Sequence, residues 1–242
     1  MIDNEFYKEL GEKWFTSQGD AIALLRCENA AKLPWVVDEI GPEPRAVLDV
    51  GCGGGFLSLE LSQRGHAVTA LDVAQSILDV GRAREPRVHW VEGRAERLPF
   101  ADASFDVVCV MDVLEHVDAA DVALSEAKRV LRPGGKLLLH TFNRTWRSWF
   151  FASKGLDWFI KDSPKHIHEW RRFIRLDEMQ AFLSEMTEVK FTGLHPVIWS
   201  RAFWRLAWTG RVDEGFRFRR GGGLGLGYLV TALKPLQSAA SV

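Results

Sequence analysis

A short apolar run that breaks into glycines and then into a helical pattern sets the tightest limit on what this chain can fold into. Val47 to Val50 lead into Gly51, Gly53, Gly54 and Gly55, and Phe56, Leu57, Leu59 and Leu61 follow at helical spacing. That order reads as strand, glycine turn and helix. Glycine accepts left-handed backbone angles and lets a ligand approach the main chain closely. A second apolar run, Ala67 to Leu71, ends in Asp72. An acid at the end of the next strand can bind both hydroxyls of a ribose; an Asp there also suits a helix cap. Together the two features imply a nucleoside-containing cofactor. The pattern is not the dinucleotide G-x-G-x-x-G, and no Gly-Lys-Ser/Thr marks a phosphate loop.

Regular alternation follows. Strands are expected at Ala46–Val50, Ala67–Leu71, Val88–Glu92, Phe105–Met111 and Lys136–Thr141. Helices are expected at about Phe56–Arg64, Gln75–Arg84 and Ala119–Val130, with a tight turn at Arg132-Pro133-Gly134-Gly135. Such alternation implies a parallel sheet with helices on both faces. Residues 3–40 read as helical, with Phe6, Leu10, Trp14 and Phe15 on one amphipathic face and Pro34 placed to open a new helix. After Thr141 the alternation fails. It recovers as a helix at Leu176–Met186 and strands at 188–194 and Tyr228–Leu233. The expected fold is one α/β domain: a Rossmann-like doubly wound sheet, mostly parallel, with an antiparallel C-terminal edge. Its parts are a helical cap (1–44), a cofactor-binding core (45–141), an inserted aromatic lid (142–176), a substrate-side half (177–234) and a tail (235–242).

Bulk properties narrow the setting. The 242 residues suit one domain with an insertion, and a net charge of −1 gives no global argument for nucleic acid. Three cysteines without metal-type spacing read as a reducing, cytoplasmic setting, and neither a signal peptide nor a membrane-spanning run is evident. Aromatic residues are distributed unevenly: seven of the ten tryptophans lie at or after Trp146. From Arg144 to Leu176 there are eight Lys or Arg against three Asp or Glu. Trp146, Trp149, Phe150, Leu156 and Ile160 share one helical face, while Phe151, Trp158 and Phe159 lie elsewhere round it. A helix apolar nearly all round must be covered, by substrate as a lid, by a second chain or by a lipid surface. Segments 144–165 and 197–220 are thus expected to contact a membrane surface or to form the lid, placing the protein in the cytoplasm or peripherally at the inner face of the membrane.

With these residues in place, the chain resembles class I S-adenosylmethionine-dependent methyltransferases. The carrying motifs are Val47-Leu-Asp-Val-Gly-Cys-Gly-Gly-Gly55, Asp72, Leu98-Pro-Phe100, Phe105-Asp-Val-Val108, Leu114-Glu-His-Val117 and Leu131-Arg-Pro-Gly-Gly135. More narrowly, it is similar to the ubiquinone-biosynthesis O-methyltransferases. The shared features are Trp14-Phe15, Asn143-Arg144, Ser148-Trp149, His168 with Phe173-Ile174, and Thr192-Gly-Leu-His195. The sequence departs from that family at Lys32, where the family has Arg, and at Arg94, where an acid is usual.

The resemblance implies S-adenosyl-L-methionine as cofactor, with Lys32, Asp49, Gly51, Gly53, Asp72, Ala95, Glu96 and Met111 around it. Backbone at Gly51 and Gly53 would face the methionine part and Asp49 its amino group. Asp72 would hold the ribose, and the loop through Ala95 and Glu96 the adenine. Asp112, Glu115 and His116 follow strand 4 at the carboxyl edge, where open sheets bind ligands, and are the leading catalytic candidates. By the resemblance these three would ligate a divalent metal such as Mg²⁺, with His116 and Glu115 serving catalysis. His140, His166, His168 and His195 are further candidates, His140 being the one expected to be ordinary core. The implied reaction is methyl transfer to a phenolic oxygen on a hydrophobic, polyprenylated quinone precursor. The alternatives are a soluble small-molecule acceptor and a non-catalytic cofactor-binding protein.

Overall fold

The computed structural model describes residues 10–154, 160 and 169–236. Eight strands form one sheet in the order β3-β2-β1-β4-β5-β8-β6-β7. They are β1 (Ala46–Val50), β2 (Ala67–Asp72), β3 (His89–Glu92), β4 (Phe105–Met111), β5 (Leu131–Phe142), β6 (Thr187–Pro196), β7 (Phe218–Arg220) and β8 (Gly227–Leu233). The first five pair in parallel, while β8 runs antiparallel between β5 and β6, and β7 closes the edge. The α/β, mostly parallel sheet with an antiparallel C-terminal edge is the fold expected.

The side-chain period of two along a strand explains both cores. On one face, Val47, Val68, Ala70, Val107, Cys109 and Leu138 pack with Trp35, Val36, Leu61 and Leu78. Those four come from α2 (Ala21–Ile40), α3 (Phe56–Gln63) and α4 (Gln75–Arg84), which follow the short α1 (Lys13–Thr16). On the other face, Leu48, Val50, Val108 and Val110 pack with Ala123, Leu124 and Met179. These belong to α5 (Ala120–Val130) and to the later Leu176–Phe182 helix. Because β1 pairs with both β2 and β4, the chain reverses its direction of winding there, and a crevice opens at the carboxyl ends of these strands.

Several boundaries differ from expectation for identifiable reasons. Pro34 does not start a helix: α2 runs unbroken from Ala21 to Ile40 with Pro34 inside and exposed. Buried residues on both sides of it (Glu28, Lys32, Trp35, Val36) hold the helix together against proline's missing donor. The Arg132–Gly135 turn lies inside β5 as an irregularity: Leu131 pairs with Phe105, and regular register resumes only at Lys136 opposite Val107. Backbone bonds between Gly134 or Gly135 and Lys234 tie that irregularity to the end of β8. Among the elements that were not expected are β7 and the helix Arg201–Thr209.

Of the aromatic insertion, the structure describes residues 142–154, 160 and 169–176, including α6 (Trp146–Ser148) and a wide turn over Trp149–Lys154. Phe6, Leu156, Trp158, Phe159, Lys161, Lys165, His166, His168 and the tail from 237 lie outside the described residues. No helix among the described residues is long and apolar enough to cross a membrane.

Candidate active site

The glycine turn is built by packing as well as by backbone freedom. Gly51, Gly53 and Gly55 all have positive φ, of 67°, 52° and 88°. A Cβ on Gly51 would meet Val113 at 2.3 Å, one on Gly53 would meet Trp14 at 2.9 Å, and one on Gly55 would meet Trp90 at 2.4 Å. Trp14 from α1 therefore covers the turn from outside, stacked edge-on against Phe56 at 5.8 Å. The amides of Gly51 and Cys52 both donate to Leu71 O, at 2.7 and 3.0 Å, closing the turn onto the end of β2.

Asp72, at that end, accepts hydrogen bonds from Gly53 N at 3.0 Å and Ala74 N at 3.1 Å. Burial pushes its carboxyl above the usual value, and these amides oppose the shift. Asp49 in β1 is buried and accepts from Ser58 Oγ at 2.6 Å. Burial, reinforced by the nearby Asp72 charge, raises its carboxyl to about 7.

A cavity of about 1020 Å³ opens over this turn. That size is at the upper end for a small-molecule site and leaves room for two ligands side by side. Asp49, Gly51, Gly53, Asp72, Ala95, Glu96 and Met111 all line it, as do Asp112 and His116. Lys32, Glu115, His140 and His195 are not among its lining residues. The cavity's far wall is apolar, with Phe142, Phe150, Phe203 and Phe216. Among the described residues its lining carries seven acids, Asp49, Asp72, Glu92 and Glu96 among them, against two arginines, Arg94 and Arg172. That donor set fits S-adenosylmethionine, which bears a sulfonium and an ammonium and offers ribose hydroxyls as donors.

The stretch after β4 behaves differently from expectation. Asp112 takes a positive φ of 57°, held by its amide donating to His140 O at 3.1 Å. Its carboxylate accepts from Lys32 Nζ and from His140 Nδ1. Burial opposes the charge on Asp112, yet Lys32 and His140 hold its carboxyl far below the ordinary range. Lys32, 2 % exposed, therefore faces Asp112 instead of the main cavity. Burial would lower the Lys32 ammonium, but Asp112 and Glu28 hold it above its usual value. Burial likewise raises the Glu28 carboxyl.

His140 is fully buried, as expected of core, but it is not ordinary core: its Nε2 lies 3.5 Å from Glu28 Oε1 while Nδ1 donates to Asp112. The pairing of Glu28 and Lys32, four residues apart on a buried helix face, is the sequence signal that could have pointed to this cluster.

The metal set Asp112, Glu115 and His116 does not come together. Among the described residues, the ligating atoms that converge within 4.8 Å are those of Glu28, Asp112 and His140. There the Lys32 ammonium already supplies the positive charge. Glu115 is fully buried and accepts from Thr141 Oγ1 at 2.9 Å. It does not line the cavity, although a direct role in catalysis was expected of it. Burial and the Asp112 charge raise its carboxyl to about 8. His116 does face the cavity, and burial lowers its imidazole to about 4, leaving it neutral at physiological pH.

The raised Glu115 carboxyl makes a stability prediction. The folded state holds a proton there that the unfolded chain gives up near the ordinary value of 4.5. Its contribution is therefore full below about pH 4.5 and is lost as pH rises towards 8, at up to roughly 5 kcal/mol by linkage. Glu115→Gln keeps an acceptor for Thr141 and removes the titration. In urea denaturation the variant should match the parent at pH 5 and exceed it by about 1–3 kcal/mol at pH 8.5. Equal pH slopes for the two proteins would show that Glu115 carries no such proton.

Comparison with known proteins agrees with this geometry. Residues 48–139 match the model of a methyltransferase domain. A ubiquinone biosynthesis O-methyltransferase of Hahella chejuensis is 29% identical over 242 residues, covering 96% of this chain and 94% of that protein. One from Pseudomonas aeruginosa is 32% identical over 187 residues, covering 74% of this chain and 79% of its own. One from Alkalilimnicola ehrlichii is 34% identical over 179 residues, covering 72% of each. Among solved structures, a Thermotoga maritima S-adenosylmethionine-dependent methyltransferase, described as a possible histamine N-methyltransferase, superposes with a TM-score of 0.64. It is 19% identical and covers 95% of this chain and 99% of its own. An Aquifex aeolicus methyltransferase gives a TM-score of 0.56 at 16% identity, covering 97% and 100%. These last two likenesses speak to the fold. With a glycine turn, an acid at the end of β2 and relatives of this similarity, the chain belongs to the S-adenosylmethionine-dependent methyltransferases, in the family that the ubiquinone biosynthesis O-methyltransferases represent.

Proposed function

We propose that this methyltransferase acts on the phenolic oxygen of a hydrophobic, polyprenylated quinone precursor, as the names of its relatives suggest for ubiquinone biosynthesis. The observation that carries the reading is His116, a neutral imidazole facing a cavity whose acceptor side is walled by Phe142, Phe150 and Phe203. S-adenosylmethionine supplies a methyl carbon that its sulfonium makes electrophilic. The protein's task is to bring the acceptor oxygen in line with that carbon and to receive the proton the oxygen loses. An imidazole kept neutral by burial can accept that proton on a ring nitrogen, while the apolar wall excludes water and orients the ring. The acceptor's O–H bond would break, its proton passing through His116 to solvent, while the O–methyl bond would form as the sulfur–methyl bond breaks and its electron pair returns to sulfur, leaving the neutral thioether S-adenosylhomocysteine.

His116→Ala is expected to lower kcat by about 10²–10⁴-fold on a phenolic acceptor. Its calorimetric affinity for S-adenosylmethionine should stay within about twofold of the parent, because the ribose and glycine-turn contacts are untouched. Since the donors after β4 do not converge on a metal, EDTA should leave the parent's rate unchanged. A His116→Ala enzyme as active as the parent would sink the role given to this residue. Loss of parent activity in EDTA, restored by added Mg²⁺, would overturn the metal-free reading.

A further inference from the structure

His116 alone leaves the proposed proton transfer steep. A phenol ionises at about 10, whereas burial, aided by the Arg172 charge and opposed by that of Asp112, holds the His116 imidazole at about 4. The gap is about six powers of ten, so the acceptor oxygen needs a cation beside it as its proton leaves. Among the described residues, the cavity lining offers Arg94 and Arg172. Arg94 lies in the loop after β3, with its Nη2 3.4 Å from Glu96 Oε1. Arg172 stands beside His116: its Nη1 donates to the carbonyl of Val117, the next residue, at 2.8 Å. The other titratable groups on the lining near His116 are the acids Glu28, Asp112 and Asp118, and the Lys32 ammonium is already held by Asp112.

The backbone that carries Arg172 is fixed on both sides. Trp170 Nε1 donates to Thr145 O at 2.8 Å, and Ile174 N donates to Phe142 O, at the end of β5, at 3.1 Å. Between them Phe173 is buried, its ring 5.1 Å from that of Phe142. A charge held this way needs no reorganisation when an anion develops in front of it. Its donors are not all used. A guanidinium has five N–H groups in a fixed fork. Nη1 and Nη2 each reach Asp118 Oδ1 at 3.3 Å, and Nε reaches Glu169 Oε2 at 3.4 Å. With the bond to Val117 these occupy four, and one Nη2 N–H has no acceptor among the described residues. The side chains of Asp118 and Glu169 are 80 % and 40 % exposed, against 26 % for Arg172. Water screens the two acids more than the guanidinium, so positive charge faces the cavity.

We infer that Arg172 is a second catalytic residue, whose remaining Nη2 N–H receives the acceptor oxygen as it becomes a phenolate. The inference rests on the phenolic acceptor proposed above. As the O–H bond breaks, its electron pair stays on oxygen and the proton moves to His116, while Arg172 holds the negative charge. An oxygen pair then forms the bond to the methyl carbon, and the sulfur–methyl pair returns to sulfur. The products are a neutral ether and a neutral thioether, neither of which gives Arg172 an anion to hold.

The test uses the full chain with S-adenosylhomocysteine bound, so that nothing turns over, and a nitrophenol whose ionised form is read by its absorbance. Arg172→Gln keeps an N–H for Val117 O and removes the charge. It should raise the pKa of the bound nitrophenol by about 1–3 units over that in the parent. Arg172→Lys keeps the charge without the fork and should retain most of the parent's lowering. With S-adenosylmethionine and phenols of graded acidity, Arg172→Gln should lose about 10–10³-fold in kcat on the weakest acid and progressively less on stronger ones. A merely structural role would slow every phenol alike. The inference is overturned if bound nitrophenol titrates alike in the parent and Arg172→Gln, if the loss in kcat is the same across the series, or if Arg172→Lys loses the lowering altogether. A parent that binds no phenol would sink the acceptor reading and this inference with it, whereas a bound phenol whose pKa ignores Arg172 would sink the inference alone.

Discussion

Asp72→Ala should weaken S-adenosylmethionine binding by about 10²–10³-fold in titration calorimetry, the largest loss expected from any single change at the cofactor end of the cavity. Asp72 stands at the end of β2 with one oxygen on Gly53 N and the other on Ala74 N. Each carboxylate oxygen has a second lone pair, and the cavity lies beside them. Two ribose hydroxyls donating to those lone pairs would make two charge-assisted bonds, each worth about 1.5–3 kcal/mol. Alanine removes both, and also frees the amide of Gly53, on which the turn's shape depends. Asp72→Asn separates these effects: one acceptor oxygen remains, while its NH₂ must face an amide N–H that needs an acceptor. Its affinity should fall between those of Asp72→Ala and the parent. A parent-like dissociation constant for Asp72→Ala would show that the ribose is held elsewhere.

How much of this was legible in the sequence depends on how each feature is encoded. The β1 turn was readable because strand, glycines and helix are contiguous, and Gly51, Gly53 and Gly55 do need positive φ. What was not readable is that Val113, Trp14 and Trp90 close on those glycines from three distant places in the chain. The central strands were readable because burial on both faces leaves an unbroken apolar run, as in Phe105–Met111. The short β7 was not, since Phe218-Arg219-Arg220 shows neither such a run nor alternation.

The stretch after β4 shows the limit most sharply. Glu115 and His116 are neighbours, yet one is locked against Thr141 and the other faces the cavity. They follow Asp112, whose left-handed backbone breaks the period from which side-chain direction is normally inferred. The helix Arg201–Thr209 was hidden for another reason: it buries only the small or aliphatic Ala202 and Leu206 and leaves Trp204 and Trp208 exposed.

The pair Lys32–Asp112 spans 80 positions of sequence and was invisible for that reason. It makes the prediction with the largest expected effect on stability. Lys32→Met keeps the length and apolar stem of the side chain and removes the ammonium. Asp112 is then left charged beside Glu28 with only His140 to offset it, a loss expected to cost about 3–5 kcal/mol in urea denaturation at pH 7.

The sign of the pH dependence follows from Asp112. Its folded carboxyl lies far below the ordinary value of 3.8, so the pair's stabilisation is complete above about pH 4 and fades as pH falls further. The gap between parent and Lys32→Met should therefore narrow below pH 4. Adding Asp112→Asn to Lys32→Met removes the orphaned charge and should recover most of the loss, because a neutral amide can still accept from His140. If the two single variants and the double variant were additive, the ion pair would carry no coupling and the helix would be held to β4 by packing alone. Strong coupling would instead mean that the cap helix is fastened to the strand end from which Asp112 and His116 project. In that case Lys32→Met should also lower cofactor affinity, although Lys32 does not line the cavity.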